Sequence, residues 1–343
     1  MSLRVKGISL QVDEVTEEVA AHDLRAIREE LCCTDVILIG MDLPKLFTAA
    51  HNALMVGLNV WIEPHPVDIS RRKVLRNLEI AALAAEQLRR GFPGRVNLVV
   101  GCEFSLHLAG MIPGRPEAMR LLVTIHLRRR FRKRIDRKVN RLLGKALARV
   151  KPVFGGPVTY AAASWENVDW SDFDYAGVNL YRTAANSAQF EEKLRERLDR
   201  AGKPLLITEF GCGAYVGGAQ RGPGSFKIVN WLSVPPKIRK GNIRSERVQA
   251  AYVGDMIDVY ARNEVHGCFV YTFALRDYPH FADPLRDLDM ASFSVVKIDP
   301  DDLAKWEPKA AFHEIARRYA GPEAVPEAVT GRRSGDGDRA SIE

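Results

Sequence analysis

The 343-residue sequence predicts an α/β protein, a (β/α)8 TIM barrel in a single domain. Eight short, β-rich apolar runs alternate with longer helical stretches. The runs are continuously apolar rather than alternating with polar residues, which is typical of parallel strands that helices cover. Eight such units within about 320 residues also match the roughly 200 to 400 residues of known barrels of this kind.

The predicted strands all lie between residues 5 and 273. They span residues 5–12, 35–39, 58–62, 96–102, 158–162, 175–180, 205–208 and 268–273. Helical patterns between them include 74–90, 190–200 and 245–263, the last with Ser245 as its N-cap. Only SWENVDWSDFDY separates the fifth strand from the sixth, so we expect a turn there instead of a helix.

Two further segments depart from the regular repeat. Residues 213–242 form a long stretch rich in Gly, Pro and Ser between the seventh strand and its helix, and such loops are usually functional or disordered. Beyond residue 320 the sequence loses its periodicity. We therefore predict one barrel domain over residues 1–320 and a disordered tail over 321–343.

A doubly wound parallel sheet is the competing architecture. It commonly carries a glycine-rich turn after its first strand. Here the first strand is followed by DEVTEE, without glycine, and no GxxxxGK[ST] motif occurs in the sequence. These observations favour the barrel.

The positive charge of the chain belongs to one segment. The formal net charge is +7, but residues 128–151 contain twelve Lys and Arg against the single acid Asp136, so they carry +11 and the remainder −4. Apolar residues recur there at helical spacing, at Phe131, Ile135, Val139, Leu142, Leu143, Ala146 and Val150. The segment is predicted to be an amphipathic helix docked on the barrel with a solvated basic face. Adsorption of this face to nucleic acid or another anionic surface is the functional alternative.

Composition also restricts the compartment and the cofactors. No apolar run reaches the roughly 18 residues of a membrane span, and acids interrupt the N-terminus before a signal-peptide core develops. The five cysteines include no CxxC pair, which suits reduced thiols in the cytoplasm. The histidines lack metal-site spacings, so we predict no metal and no cofactor.

Polar and aromatic residues cluster just past the predicted strands, where barrels of this architecture hold their active sites. They are Trp61, Glu63 and His65 at the third strand, Cys102 and Glu103 at the fourth, Trp165 and Glu166 at the fifth, Asn179, Tyr181 and Arg182 at the sixth, Glu209 at the seventh, and Tyr271 and Arg276 at the eighth. Alternatively, each aromatic is packing, and Arg182, Arg276 and His65 form ion pairs with nearby acids such as Glu63, Asp277 or Asp287.

Glu103 and Glu209 are the pair that indicates a reaction. They follow the fourth and seventh strands, which stand across the barrel mouth from each other, so both side chains can face one bound molecule. Hydrolysis of a glycosidic bond needs one protonated carboxylic acid and one carboxylate. Different surroundings would give the two groups different pKa values. With the aromatic residues around them, they predict a carbohydrate site.

Several segments resemble a known family. PLLITEFG, GVNLYR, DLDMASFSVVK and WEPKAAFHEIARRY are similar to segments of the clan of retaining (β/α)8 glycoside hydrolases with catalytic glutamates after strands four and seven. The resemblance extends from about residue 5 to residue 319. In finer wording, SWENVDWSDFDYAGVNLYR and TEFGCGAYVGG are similar to bacterial proteins that often carry the label abortive infection protein, a label that names no mechanism.

The clan resemblance implies roles for individual residues. Glu209 would be the nucleophile, Glu103 the acid/base, and Tyr181 the tyrosine that orients the nucleophile. Cys102 stands where the clan usually has the Asn that binds a sugar 2-hydroxyl, and the clan's second-strand Arg is absent from DVILIGMD. A retaining glycosidase is therefore expected. The alternative is an inactive barrel that binds a glycan or an anionic polymer in phage defence.

Overall fold

Eight parallel strands close into a barrel in the computed structural model, which describes residues 3–114 and 117–320. They are β1 (Val5–Gln11), β2 (Asp35–Gly40), β3 (Asn59–Pro64), β4 (Val96–Cys102), β5 (Val158–Ala163), β6 (Ala176–Asn179), β7 (Leu205–Phe210) and β8 (Gly267–Val270). Each strand pairs in parallel with its neighbours, and β8 closes the ring on β1. The predicted TIM barrel is confirmed. The predicted tail, residues 321–343, lies outside the described residues.

Helices surround this barrel. They are α1 (Glu17–Glu29), α2 (Leu43–Met55), α3 (Arg71–Gly91), α4 (Phe104–His107), α5 (Glu117–Val150), α6 (Phe190–Ala201), α7 (Gly218–Arg221), α8 (Glu246–Arg262) and α9 (Ala310–Tyr319). Thr16, Asp42 and Ser70 cap α1, α2 and α3 by accepting backbone N–H bonds with their side chains. Ser245 occupies the N-cap of α8 without such a bond. Residues 164–175, between β5 and β6, contain turns and no described helix, as the sequence predicted.

The strands are apolar on both faces because each face packs against a different layer. Val36, Leu38 and Val60 face outward into the large core beneath the helices. Ile37, Ile39 and others face inward and form a second cluster inside the barrel. Alternate residues of a strand point to opposite faces, so a polar residue at the inward-facing end of a strand is delivered to the mouth.

Three of the strand pairings become irregular towards the mouth. The register of β4 against β5 shifts between Val99 and Cys102, and that of β6 against β7 shifts at Asn179. The pairing of β7 with β8 shifts between Cys268 and Val270. Such bulges re-aim side chains and occur often at barrel rims beside active sites.

The long segment 213–242 is structured. It contains α7, a 3-10 turn (Gly222–Ile228) and a two-stranded hairpin, Val229–Asn230 with Lys237–Ile238. A second hairpin, Val296–Ile298 with Trp306–Pro308, precedes α9. The α9 helix packs against α8 and completes the helical layer.

The basic segment forms most of α5, as the amphipathic pattern predicted. Of its apolar stripe, Phe131 is half-buried and the residues from Ile135 to Val150 are buried, while Arg132, Lys133 and Arg134 are exposed. The side chains of Arg128 to Arg130 lie outside the description. Over the described residues, no helix has the length and apolar character that crossing a bilayer requires.

Candidate active site

Glu209 lies near the end of β7 and reaches into the barrel mouth. The Tyr181 hydroxyl donates to its Oε2 at 2.9 Å, and the Cys102 thiol donates to its Oε1 at 3.8 Å. Burial, together with the negative charge of the nearby Glu63, raises the pKa of Glu209 to about 7. The carboxyl group therefore titrates near neutrality.

Glu103 follows β4 directly and has an unusual backbone conformation. Its φ of 36° and ψ of 51° lie in the left-handed region, which costs a residue other than glycine roughly 1–3 kcal/mol. Its backbone N–H is held by the carbonyl of Ala161 at 2.9 Å. Two residues earlier, Gly101 has a φ of 140°, and a Cβ there would lie 2.2 Å from the ring of Phe104. The chain is thus forced to turn sharply where it presents Glu103.

Asn179, at the end of β6, ties this turn to the site. Its Nδ2 donates to Oε1 of Glu103 at 3.1 Å and to the sulfur of Cys102 at 3.3 Å. Its Oδ1 accepts from the Thr208 hydroxyl at 2.7 Å. Both polar atoms of this buried amide therefore have hydrogen-bond partners, and the amide fixes the orientation of Glu103.

Cys102 is the connection between the two glutamates. Its sulfur accepts from Asn179, which also holds Glu103, and its thiol donates to Glu209. Burial, and then the negative charge of Glu209, raises the pKa of this thiol well above its ordinary value. Cys102 is consequently a neutral, weak donor, because a nucleophilic cysteine needs the opposite shift.

Glu63 and His65 form the β3 side of the mouth. Glu63 is buried, and its Oε1 lies at hydrogen-bond distance, 2.9 Å, from Nδ1 of His65. The His65 ring lies edge-on to that of His107, with centroids 4.7 Å apart. This pairing agrees with one alternative that the sequence left open for His65, an ion pair with Glu63.

Two groups of side chains are close enough to be considered as metal ligands. Glu63, His65 and Cys102 offer ligand atoms within 4.8 Å of one another, but each of them has a hydrogen-bond partner inside the site. The second group is His280, Asp287 and Asp289. Its two aspartates are within 2.9 Å of the Arg244 guanidinium, and Lys309 also contacts Asp289, so cations of the chain balance their charge. We assign a metal to neither group.

Tyr271 lies just past β8 and contacts a residue that the sequence reasoning missed. Nε2 of Gln11, the last residue of β1, donates to the Tyr271 hydroxyl at 3.0 Å. The buried ring of Phe293 packs against both Tyr271 and Tyr181, with centroids 5.8 and 6.2 Å apart. The sequence contained a signal for Gln11, because it is a polar residue at the end of an apolar strand, β1. Glu209 has a similar position near the end of β7.

The β5 residues have partners in the rim of the mouth. The carboxylate of Glu166 accepts from the backbone N–H groups of Ser105 and Ala163 and from the Tyr160 hydroxyl, all at 2.9 to 3.0 Å. The indole of Trp165 donates to Ser105 Oγ at 3.1 Å. Both side chains thus fasten the loop after β4 to β5, and both oxygens of the Glu166 carboxylate accept hydrogen bonds within the protein.

Trp61 and the two arginines also lie apart from the glutamate cluster. Trp61 is buried inside the barrel, where its indole donates to Asp35, a residue at the opposite end of β2 from the mouth. Arg182 pairs with Asp255 of α8 at 2.5 Å. Arg276 is buried and pairs with Asp23 of α1 at 2.7 Å. Neither Asp255 nor Asp23 is among the acids that the sequence suggested as partners, which were Glu63, Asp277 and Asp287.

Two cavities lie near the upper face of the barrel. One of about 190 Å³ adjoins the cluster and is lined by Gln11, His65 and Arg276, among others. A larger one of about 630 Å³ lies between α1 and the second hairpin, with Trp306 and Lys297 in its wall. The paired carboxylates define the candidate site, and the smaller cavity adjoins it, because His65 contacts Glu63 and Gln11 contacts Tyr271.

Comparison with known proteins shows what the fold is similar to. No family model matches the sequence, and no curated protein matches it. Among solved structures, a GH113 β-1,4-mannanase in a complex covers 94% of this chain over 100% of its own length, with a TM-score of 0.60 and 16% identity. The GH113 β-mannanase from Alicyclobacillus acidocaldarius in complex with ManMIm covers 93% of this chain and 98% of its own, with a TM-score of 0.60 and 15% identity.

A third structure is of a different activity. The β-glucosidase 1317 has a TM-score of 0.54 and 12% identity over 89% of this chain and 88% of its own. At such identities the similarity establishes the fold alone. The resemblance to proteins labelled abortive infection protein stays a prediction. The chain thus shares the (β/α)8 barrel fold of these two β-mannanases and this β-glucosidase.

Proposed function

We propose that this protein hydrolyses an O-glycosidic bond with retention of configuration, with Glu209 as nucleophile and Glu103 as acid/base. The observation that carries the proposal is the link between the two glutamates. They come from opposite sides of the barrel and are joined through Asn179 and Cys102. Two carboxyl groups held on either side of one mouth are what a double displacement needs.

In the first step, the ionised Glu209 attacks the anomeric carbon while Glu103 gives its proton to the leaving oxygen. The Tyr181 hydroxyl holds Oε2 of Glu209, so Oε1, on the Cys102 side, is the oxygen that attacks. In the second step, Glu103 takes a proton from water, which attacks the glycosyl–enzyme ester and releases Glu209. Asn179 keeps Glu103 in place through both steps.

The substrate class that we propose is a β-linked glycan. The similar structures named above include two β-mannanases and a β-glucosidase, so β-mannosides and β-glucosides are the first candidates. Cys102 offers a thiol where the clan usually has an amide, so we expect weaker recognition of a sugar 2-hydroxyl. The cytoplasmic location, with five free cysteines, stays a prediction.

One observation favours a second candidate, a barrel that binds a glycan without cleaving it. The thiol of Cys102 is a weaker hydrogen-bond donor than the amide that it replaces, and transition-state contacts of this kind contribute several kcal/mol in glycosidases. This candidate predicts binding of oligosaccharides with no turnover.

The proposal is tested by screening purified protein against chromogenic β- and α-glycosides, including furanosides. We expect turnover of at least one glycoside, and its loss in Glu209→Gln and Glu103→Gln variants that keep the wild-type circular dichroism spectrum. Arg182→Gln serves as the control because its ion pair faces α8. Full activity in either glutamate variant, or no turnover by the wild-type protein, contradicts the proposal.

A further inference from the structure

The segment after β7 carries an exposed apolar surface. Trp231 is 53% exposed, and the neighbouring Leu232 and Val234 are 95% and 97% exposed. Exposed apolar side chains that are contiguous, as these are, are a feature of contact sites.

Aromatic rings connect this surface to the candidate active site. The ring of Trp231 lies 6.2 Å from that of Tyr278, and Tyr278 lies 5.3 Å from Phe226. Phe226 lies 4.9 Å from Phe293, which in turn lies 5.8 Å from Tyr271. The row therefore begins in solvent and ends at the tyrosines around Glu209.

Most members of this row are accessible. Phe226, Tyr278 and Tyr271 are each partly exposed, while Phe293 is buried beneath them. We call the accessible members, Trp231, Tyr278, Phe226 and Tyr271, the aromatic ridge. An aromatic side chain that is left partly in water at the edge of a pocket offers its ring face to a ligand, at small entropic cost because only two torsions are fixed.

The base of the ridge is fixed by main-chain contacts. The hairpin strand Val229–Asn230 pairs with Lys237–Ile238, and the Ile238 N–H donates to the carbonyl of Leu285 at 2.8 Å. The Arg239 N–H donates to the carbonyl of Ile228, also at 2.8 Å. A ridge on such a support is preformed, which reduces the ordering cost of binding.

We infer that the aromatic ridge binds the successive sugar units of an extended neutral glycan whose cleaved bond lies at Glu209. The ridge residues are uncharged, and successive rings of the row, with the buried Phe293 between Phe226 and Tyr271, have centroids 4.9 to 6.2 Å apart. Ring faces stack on the apolar faces of sugars, whereas a protein partner would use the aliphatic Leu232 and Val234 as much as Trp231. This inference rests on the proposed function and names the substrate as a chain rather than a monosaccharide glycoside.

The test separates binding from cleavage. Affinity gel electrophoresis is run on the Glu209→Gln protein in gels that contain glucomannan, hydroxyethylcellulose, xylan or arabinan. We expect at least one polysaccharide to retard the protein. Adding Trp231→Ala should weaken the retardation roughly five- to tenfold, Trp231→Phe should restore most of it, and Leu232→Ala, at the adjacent and more exposed position, should leave it unchanged.

A kinetic comparison completes the test. In the wild-type background, Trp231→Ala should lower kcat/KM for hexasaccharides about fivefold and leave aryl monoglycosides unaffected. Retardation by none of the four polysaccharides, or retardation that is insensitive to Trp231 or equally lost in Leu232→Ala, overturns the inference. Binding through Trp231 without cleavage of any glycoside would contradict the proposed function but support the ridge as a glycan-binding site. Cleavage of aryl glycosides without polysaccharide binding would support the proposed function and overturn the inference about the ridge.

Discussion

The centre of the barrel mouth and its rim differ in how their polar side chains are used. In the centre, Glu103, Glu209 and Tyr181 are joined by hydrogen bonds through Asn179 and Cys102. In the rim, buried polar groups are paired with one another or with the backbone. The clearest cases are the Arg276–Asp23 ion pair and the hydrogen bonds by which Glu166 connects the loop after β4 to β5.

Two neighbouring residues illustrate this difference. Tyr181 and Arg182 are consecutive residues just past β6, and their side chains contact different layers, Tyr181 with Glu209 in the mouth and Arg182 with Asp255 of α8. The residue that faces the mouth, Tyr181, therefore contacts the candidate catalytic group, and the residue that faces the helices, Arg182, forms a structural ion pair.

The largest effect is expected from the central glutamates. Glu209→Gln or Glu103→Gln should lower kcat/KM by at least about 10³-fold, because a nucleophile or a proton donor is lost while the hydrogen-bonding shape is kept. Steady-state kinetics on the best substrate of the glycoside panel measures this. Glu166→Gln, which alters only hydrogen bonds in the rim, should lower kcat/KM less than tenfold. Equal losses of kcat/KM in all three variants would contradict the distinction between centre and rim.

Arg276→Ala tests the rim. Removing the guanidinium leaves the buried Asp23 without its cation, which we expect to lower the free energy of unfolding by about 3 kcal/mol. Denaturant titration measures this change. The matched control is Arg182→Ala, whose pair with Asp255 is partly exposed and should contribute less than about 1 kcal/mol. Similar losses in both variants would contradict the account.

Tyr181→Phe removes one hydrogen bond from the centre. The hydroxyl donates to Glu209 at 2.9 Å, and a bond to a charged group is worth about 1.5–3 kcal/mol, so kcat should fall roughly 10- to 100-fold. The loss should appear in kcat with little change in the unfolding free energy. A variant that is equally destabilised would show that the hydroxyl serves the fold.

The pH dependence of kcat/KM tests the effect of the Glu63 charge on the pKa of Glu209. A nucleophile must be ionised, so kcat/KM should rise with pH through the pKa of Glu209, about 7 in the free protein. Glu63→Gln removes a negative charge that raises this pKa, so the acidic limb should move to lower pH by roughly one unit. Glu14→Gln, an exposed acid at the mouth, should not move the limb. An unchanged limb in Glu63→Gln would show that another group titrates.

The smallest effect on activity is expected at the basic face of α5. Replacing Arg132, Lys133, Arg134 and Arg137 by Gln should change kcat/KM less than twofold, since these exposed side chains lie outside the mouth. Retention on a heparin column at rising salt tests the predicted adsorption to anionic surfaces, and it should decrease in this variant. Unchanged retention would show that the face is only solvated.

The sequence was sufficient to predict the barrel and the position of the two glutamates at the ends of β4 and β7, because apolar period and strand-end position are local properties. It also predicted the turn between β5 and β6. The partners of Arg182, Arg276 and Glu166 could not be read from it, since Asp255, Asp23 and Ser105 approach them only through tertiary packing. Strand-end position alone therefore included residues that belong to the rim.

Two central features were outside the reach of local patterns. The left-handed backbone of Glu103 depends on the bulge in β4 and on the close contact of Gly101 with Phe104. The contact of Gln11 with Tyr271 depends on the closure of β8 onto β1. Both arise where strands that are distant in sequence meet.

The most direct test of the central claim is to trap the glycosyl–enzyme intermediate. Protein is incubated with the 2-deoxy-2-fluoro glycosyl fluoride of the sugar that the panel identifies, and peptic peptides are measured by mass spectrometry. The account predicts one added sugar on the peptide that contains Glu209, and none in Glu209→Gln. A sugar attached to Glu103 or Glu63, or a product of inverted configuration without any adduct, would contradict it.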